Sequence, residues 1–284
     1  MLRRLRFILL ALSFASTVYA AKDPDSIQIK GSDTMVNLVQ SWAEKFMEEN
    51  PGALVSVTGG GSGTGIASLI NGTCDITSSS RTIKPKEIEL AEKNGVHPNV
   101  ITVALDGLAV VVNPSNPVSK LTEGQLADIF TGKVTNWKDV GGNDGRIVIL
   151  SREVNSGTHV YFKEHVLRNN DPNSKAEFAQ GALMLSSSQA IADEVAGNPA
   201  AIGYYGMGYI SLKQKAVAVA KDEKSAFVLP SIENVVSGAY PISRPLFLYT
   251  NGQPQATVKH FIDFALSKEG QAIVLETDFV PINK

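Results

Sequence analysis

Three short stretches of the chain set small hydroxyl residues where a strand gives way to a helix. They are "GSDTM" with Ser32, Asp33 and Thr34, "GGGSGTGI" with Ser62 and Thr64, and "SREVNSGTHVYF" with Arg152, Ser156, Gly157 and Thr158. The free amides of a helix N-terminus point outward and favour negative charge, and hydroxyls beside them add donors. Chemistry of this kind suits an oxyanion. Arg152, and Arg81 at the end of "CDITSSSR", bring positive charge to pair with it. Taken singly, each hydroxyl reads as an N-cap and each arginine as a surface charge. Three such helix starts, two with an arginine nearby, are hard to explain as caps alone.

Better-known glycine-loop chemistries fail on spacing. A Walker loop places lysine after its last glycine, and no lysine follows any glycine in "GGGSGTGI". The dinucleotide pattern G-x-G-x-x-G is broken in every register, by Thr64, Ile66 or Ser68. A nucleophile elbow on Ser62 needs glycine two residues later, where Thr64 stands. What survives is a glycine loop whose amides approach an oxyanion closely, with Ser62 and Thr64 as hydroxyl donors. A secreted serine hydrolase or phosphatase acting through Ser156 and His159 stands as the alternative from a different class. His97, His165 and His260 show no triad or metal-ligand spacing, so no metal and no cofactor is expected. Cys74 is the only cysteine; it forms no intramolecular disulfide and reads as a buried structural thiol.

The elements that must position these residues alternate. Strands are expected at 27–30, 54–57, 74–77, 100–105, 108–112, 147–150, 216–220 and 246–250. Helical faces fall at Met35 to Phe46, Ile66 to Ile70, 86–94, 125–130, 158–167, 189–195 and 256–266. The alternation predicts an α/β protein with largely parallel sheets, whose ligands sit beyond the carboxyl ends of strands.

Arg3, Arg4 and Arg6, the apolar run from Phe7 to Phe14 and the small residues up to Ala20 read as a secretory signal peptide, residues 1–20. Ala21 stands where a lipoprotein would carry cysteine. The signal takes three arginines and no acids, leaving 23 basic against 28 acidic residues, a net charge of −5. A mildly acidic exported chain has no bulk field for nucleic acid or anionic membrane. Neither is expected as a partner, and local geometry must hold any anion. A periplasmic monomer is expected.

The chain resembles the periplasmic phosphate-binding protein family of ABC-type phosphate importers. The stretches that carry the resemblance are "IKGSDTM", "GGGSGTGI", "CDITSSSR", "LTEGQLADIFTGKVTNWKDVGG", "SREVNSGTHVYF", "GNPAAIGYYGMGYI" and "YPISRPLFLYT", in family order. The resemblance implies a two-lobed type II periplasmic-binding-protein fold with mixed, mostly parallel sheets flanked by helices, and two crossover strands as a hinge. Lobe 1 would take 21–109 and 240–284, and lobe 2 would take 110–239, with crossings near 107–113 and 236–244. Inorganic phosphate would sit between the lobes and an inner-membrane ABC permease would receive it. Contacts carried over by position are Ser32, Thr34, Ser62, Arg152, Ser156, Gly157 and Thr158. Some members have "ASD" where this chain has Ser79, Ser80 and Arg81, their aspartate accepting the phosphate proton. Here Ser80 and Arg81 stand in that triplet and no carboxylate does, so Asp33 is the candidate acceptor, the alternatives being a helix cap or a partner for Arg81. Arg81 is expected to add a second positive charge. A carboxylate acceptor discriminates against sulfate, which carries no proton. Sulfate, molybdate and tungstate are the alternative ligands.

Overall fold

The computed structural model describes residues 25–282, so the expected signal peptide lies outside the described residues. The strands are β1 (Ser26–Gly31), β2 (Leu54–Thr58), β3 (Ile76–Ser79), β4 (Pro98–Val112), β5 (Lys120–Thr122), β6 (Val148–Arg152), β7 (Leu183–Leu185), β8 (Ala201–Gly206), β9 (Lys215–Ala216), β10 (Ala218–Ala220) and β11 (Ser243–Asn251). The α-helices are α1 (Val36–Glu49), α2 (Ser62–Ile70), α3 (Pro85–Lys93), α4 (Glu123–Phe130), α5 (Gly157–Phe162), α6 (Ser188–Gly197), α7 (Ile232–Val236), α8 (Ala256–Leu266) and α9 (Lys268–Glu276).

Nine strands form one curled sheet in the order β2-β1-β3-β11-β4-β8-β6-β7, with β9 added beside β4. Its two wings are parallel: β2, β1 and β3 on one side, β8, β6 and β7 on the other. The centre is antiparallel, because β11 runs against β3 and β4, and β4 runs against β8. The expectation of mostly parallel sheets therefore holds in the wings and gives way in the middle.

Local sequence explains the elements that matter. In β1, Ile27 and Ile29 are buried while Gln28 between them is exposed, the period-2 signature of a strand. On α1, Leu38, Val39, Trp42, Ala43 and Phe46 line one face, and Asn50 stops the helix by donating from Nδ2 to the Phe46 carbonyl at 2.8 Å. Every residue of β8 is buried, as a strand with both faces covered requires.

The two largest of four buried clusters flank the centre. The first packs Ile27, Ile29, Trp42 and Phe46 against Phe261 and Val274. The second packs Phe130, Phe162, Tyr204 and Trp137 against Val110 and Val112. Strand β4 serves both. The sequence reading splits it into two strands at 100–105 and 108–112, but it is continuous, and what changes at the break is the partner. Up to Gly107 it pairs with β11, and from Leu108 onward with β8. The return crossing runs between Ile242, in the second core, and Leu246, in the first. A third crossing was not expected. Val280 exchanges backbone hydrogen bonds with Leu105 at 2.8 and 3.0 Å and packs into the second core, while its neighbour Phe279 packs into the first.

Candidate functional site

Parallel wings bring strand carboxyl ends to one edge. The register pairs Lys30 with Thr58 and Gly31 with Ser78, so the segments after β1, β2 and β3 emerge together. In the other wing Arg152 pairs with Leu185, so the segments after β6 and β7 also emerge together. The two edges meet face to face.

At the junction Thr34 Oγ1 and Thr158 Oγ1 lie 2.7 Å apart, both buried, 124 residues distant in sequence. Ser62 Oγ accepts the Ser80 amide proton at 3.0 Å and lies 3.3 Å from Ser80 Oγ. Gly157 closes over this pair so tightly that a Cβ there would stand 2.3 Å from Ser62 Oγ and 2.6 Å from Ser80 Oγ. Ser32 Oγ is buried with no protein hydrogen-bond partner. Ser156 Oγ is the N-cap of α5, accepting from the amides of Thr158 and His159. All of these side chains except Asp33 are nearly or fully buried, and buried hydroxyls are costly unless partnered.

The glycine loop packs against the opposing segment. Asn155 donates from Nδ2 to the Gly60 carbonyl at 2.8 Å and to Thr64 Oγ1 at 3.2 Å, and its carbonyl accepts from the Gly63 amide at 2.9 Å. Gly61 has φ +100°, and a Cβ on it would meet the Asn155 carbonyl oxygen at 2.8 Å. Only glycine meets both demands.

Two ion pairs revise the roles expected of the charged residues. Arg152, 1% exposed, is held through each of its three nitrogens: Nε donates to the Leu185 carbonyl, Nη1 to Ser188 Oγ and Nη2 to the Ser186 carbonyl. Nη1 also lies 3.0 Å from Asp33 Oδ2. Asp33 Oδ2 further accepts from the Ser188 amide at 2.8 Å, and the Asp33 carbonyl accepts from the Tyr209 hydroxyl. Asp33 thus pairs with Arg152, not Arg81, and joins the two halves of the molecule instead of capping α1. Arg81 forms a two-point bond with Glu87, at 2.8 and 2.7 Å. Burial alone would raise the Glu87 carboxyl, but hydrogen bonds from Arg81 and the Lys84 amide hold it below the usual carboxylate range. This corrects the expected second positive charge, because Glu87 already balances Arg81.

The hydrolase alternative lacks its geometry. The His159 ring faces Ser151 Oγ from Nδ1 at 3.3 Å and packs on Phe178 with centroids 4.6 Å apart. Ser156 Oγ accepts from the Thr158 and His159 amides and does not meet the His159 ring. Burial pushes the His159 imidazole down to about 4, with the Lys163 charge acting in the same direction. A histidine buried neutral costs stability when acid protonates the unfolded chain first. The fold should therefore lose stability as pH falls from about 6.5 towards about 4. Urea midpoints measured across that window should fall more steeply for the wild type than for His159→Gln; parallel slopes would contradict a neutral buried ring.

Among the described residues no group of three or more His, Cys, Asp or Glu is arranged to hold a metal ion, and no helix is long and apolar enough to cross a membrane. Sequence reasoning missed Asp106 and Arg244, a buried pair at the crossing of β4 and β11 with Arg244 Nη2 2.8 Å from Asp106 Oδ2. The signal was an aspartate inside the apolar run "VALDGLAVVV". It also missed Ser188 and Asn155.

Two β/α wings that present their strand ends to each other across crossing strands define a two-lobed solute-binding architecture of the periplasmic-binding-protein class. The PBP superfamily domain matches residues 18–269. Phosphate-binding protein PstS of Bacillus subtilis is 35% identical over 265 residues, 92% of this chain and 82% of that protein. PstS of Pseudomonas aeruginosa is 32% identical, covering 98% of this chain and 95% of that one. A Clostridium perfringens crystal structure with bound phosphate superposes with a TM-score of 0.81 at 34% identity, covering 91% of this chain and all of that one. The chain belongs to the phosphate-binding protein family within that superfamily.

Proposed function

We propose that this protein binds inorganic phosphate where the two halves meet and delivers it to an ABC-type membrane permease. One observation carries the reading. Thr34 from one half meets Thr158 from the other at hydrogen-bonding distance, and Gly157 packs closely on Ser62, beside an arginine already fixed in place. Short donors in a dry site, with one charge-assisted partner, are what a small tetrahedral anion requires. Arg152 has five N–H protons and four described partners, which leaves one Nη2 proton for the ligand.

The lobes we propose follow the partner change in β4: residues 25–107 and 243–279 form the first, and 108–242 the second. The anion favours the closed arrangement because it touches both, and closure is the signal a permease reads. Export to the periplasm, a monomeric state and a role free of catalysis belong to the same reading. Export rests on the expected signal peptide, and a role free of catalysis on relatives named as binding proteins.

Asp33 is the proposed reader of the phosphate proton. Both of its described side-chain bonds run to Oδ2, so Oδ1 is the oxygen available to accept. Asp33→Asn should weaken phosphate binding and narrow its margin over sulfate; an equal loss for both anions would reduce Asp33 to a latch. The reading as a whole is tested by equilibrium dialysis of the ligand-stripped protein with labelled phosphate. One equivalent should bind and resist excess sulfate. No retained phosphate would overturn it.

A further inference from the structure

A buried ion pair at the crossing strands reaches the hydroxyl pair of the site. Arg244 Nε and Nη2 donate to Asp106 Oδ2 at 3.1 and 2.8 Å, and Nη2 also donates to Thr158 Oγ1 at 2.9 Å. Asp106 Oδ1 accepts the Met207 amide proton at 3.1 Å. Asp106 is 0% and Arg244 3% exposed. The Arg244 guanidinium lies 5.5 Å from the Tyr161 ring centroid, and its Nη1 is buried with no protein partner. The guanidinium is therefore not saturated by Asp106, and one of its corners is spent on Thr158.

That contact fixes what the two threonines can offer. Two hydroxyls bring two protons, and the bond between Thr34 and Thr158 uses one of them. Because Thr158 accepts from Arg244, one lone pair is occupied and the remaining proton of the pair is left to point at a third group. Arg244 also offsets a carboxylate close to the same spot. A Cβ built on Gly206 would stand 2.7 Å from Thr34 Cγ2 and 3.0 Å from both Asp106 oxygens. An anion beside Thr34 would otherwise face Asp106 unscreened in a low-dielectric setting.

We propose that Arg244 is a positioning residue of the phosphate site, acting through Thr158 to hold the Thr34–Thr158 pair as a donor to the anion. The inference rests on the phosphate-binding reading above. It places a positioning element on the crossing strand itself, outside both ligand-facing loops.

The test is a double-mutant cycle in phosphate affinity using Arg244→Lys and Thr158→Val, with thermal melts to show that each variant is folded. Lysine keeps the charge for Asp106 but lacks the planar fork that reaches two acceptors. Arg244→Lys alone should weaken phosphate binding by about tenfold, the scale of one charge-assisted hydrogen bond. In the Thr158→Val background the same change should add nothing further, because its route to the anion is already cut. Losses that multiply would overturn the proposal, since a general structural role predicts additivity; so would Arg244→Lys binding like the wild type. If Arg244→Lys does not fold, Asp106→Leu with Arg244→Met replaces the pair by apolar side chains, and the same tenfold loss is expected. Silence of the wild type towards phosphate would strike the phosphate reading itself, and this proposal with it.

Discussion

Replacing Gly157 by alanine should weaken phosphate binding by roughly 5- to 150-fold, since overpacking costs about 1–3 kcal/mol and each 1.4 kcal/mol or so is tenfold. The position is the first residue of α5 and needs no positive φ, so alanine suits the helix itself. The added Cβ, however, would stand 2.3 Å from Ser62 Oγ and 2.6 Å from Ser80 Oγ, both contributed by the opposite half of the molecule. Neither hydroxyl can retreat far, because Ser62 Oγ is held by the Ser80 amide at 3.0 Å and both residues are fully buried. The clash therefore falls on closure and not on either core. Calorimetric titration should show the loss of affinity while the melting temperature without ligand is unchanged or slightly raised. Wild-type affinity in Gly157→Ala would mean that the close approach of α5 to Ser62 is not the liganded arrangement.

Asp106→Asn carries the largest expected effect on stability. Removing one member of a buried ion pair leaves the other charge uncompensated, at a cost of about 3–5 kcal/mol. The single amide oxygen of the variant can serve Arg244 or the Met207 amide but not both, and it carries no charge to balance the guanidinium. Deletion of both charges is a different matter, because well-packed apolar replacements of a buried pair are often neutral or stabilising. Urea denaturation should therefore place Asp106→Asn well below wild type and the Asp106→Leu, Arg244→Met double variant near it. A single-variant loss of less than about 1 kcal/mol would show the pair to be far better solvated than its burial indicates.

The parts of this architecture that were legible in the sequence are those governed by local pattern. The apolar stripe of α1, the alternation of β1 and the hydroxyl-bearing starts of α2 and α5 follow from side-chain period and capping chemistry. The meeting of Thr34 with Thr158 was legible only as convergence of three similar motifs, because nothing local links residues so far apart. The charged partners were not legible. Asp33 with Arg152, Arg81 with Glu87 and Asp106 with Arg244 are tertiary choices, and any of several acids satisfies an arginine equally well on paper. The antiparallel centre was missed for a related reason. A strand such as β4 that changes partner at Gly107 looks like two strands, since the glycine interrupts the apolar run while the backbone continues through it. The three consecutive loop glycines suggested a phosphate cradle. Gly61, at least, is required by the approach of Asn155 from the other half, a demand that exists only once the molecule is folded.

A crystal structure of the protein saturated with phosphate tests the central claim most directly. The account predicts one tetrahedral anion between the two halves, within hydrogen-bonding distance of Thr34, Ser62, Thr158 and Arg152, with the Asp33–Arg152 pair intact beside it. Phosphate bound elsewhere, or contacting residues of one half alone, would contradict it.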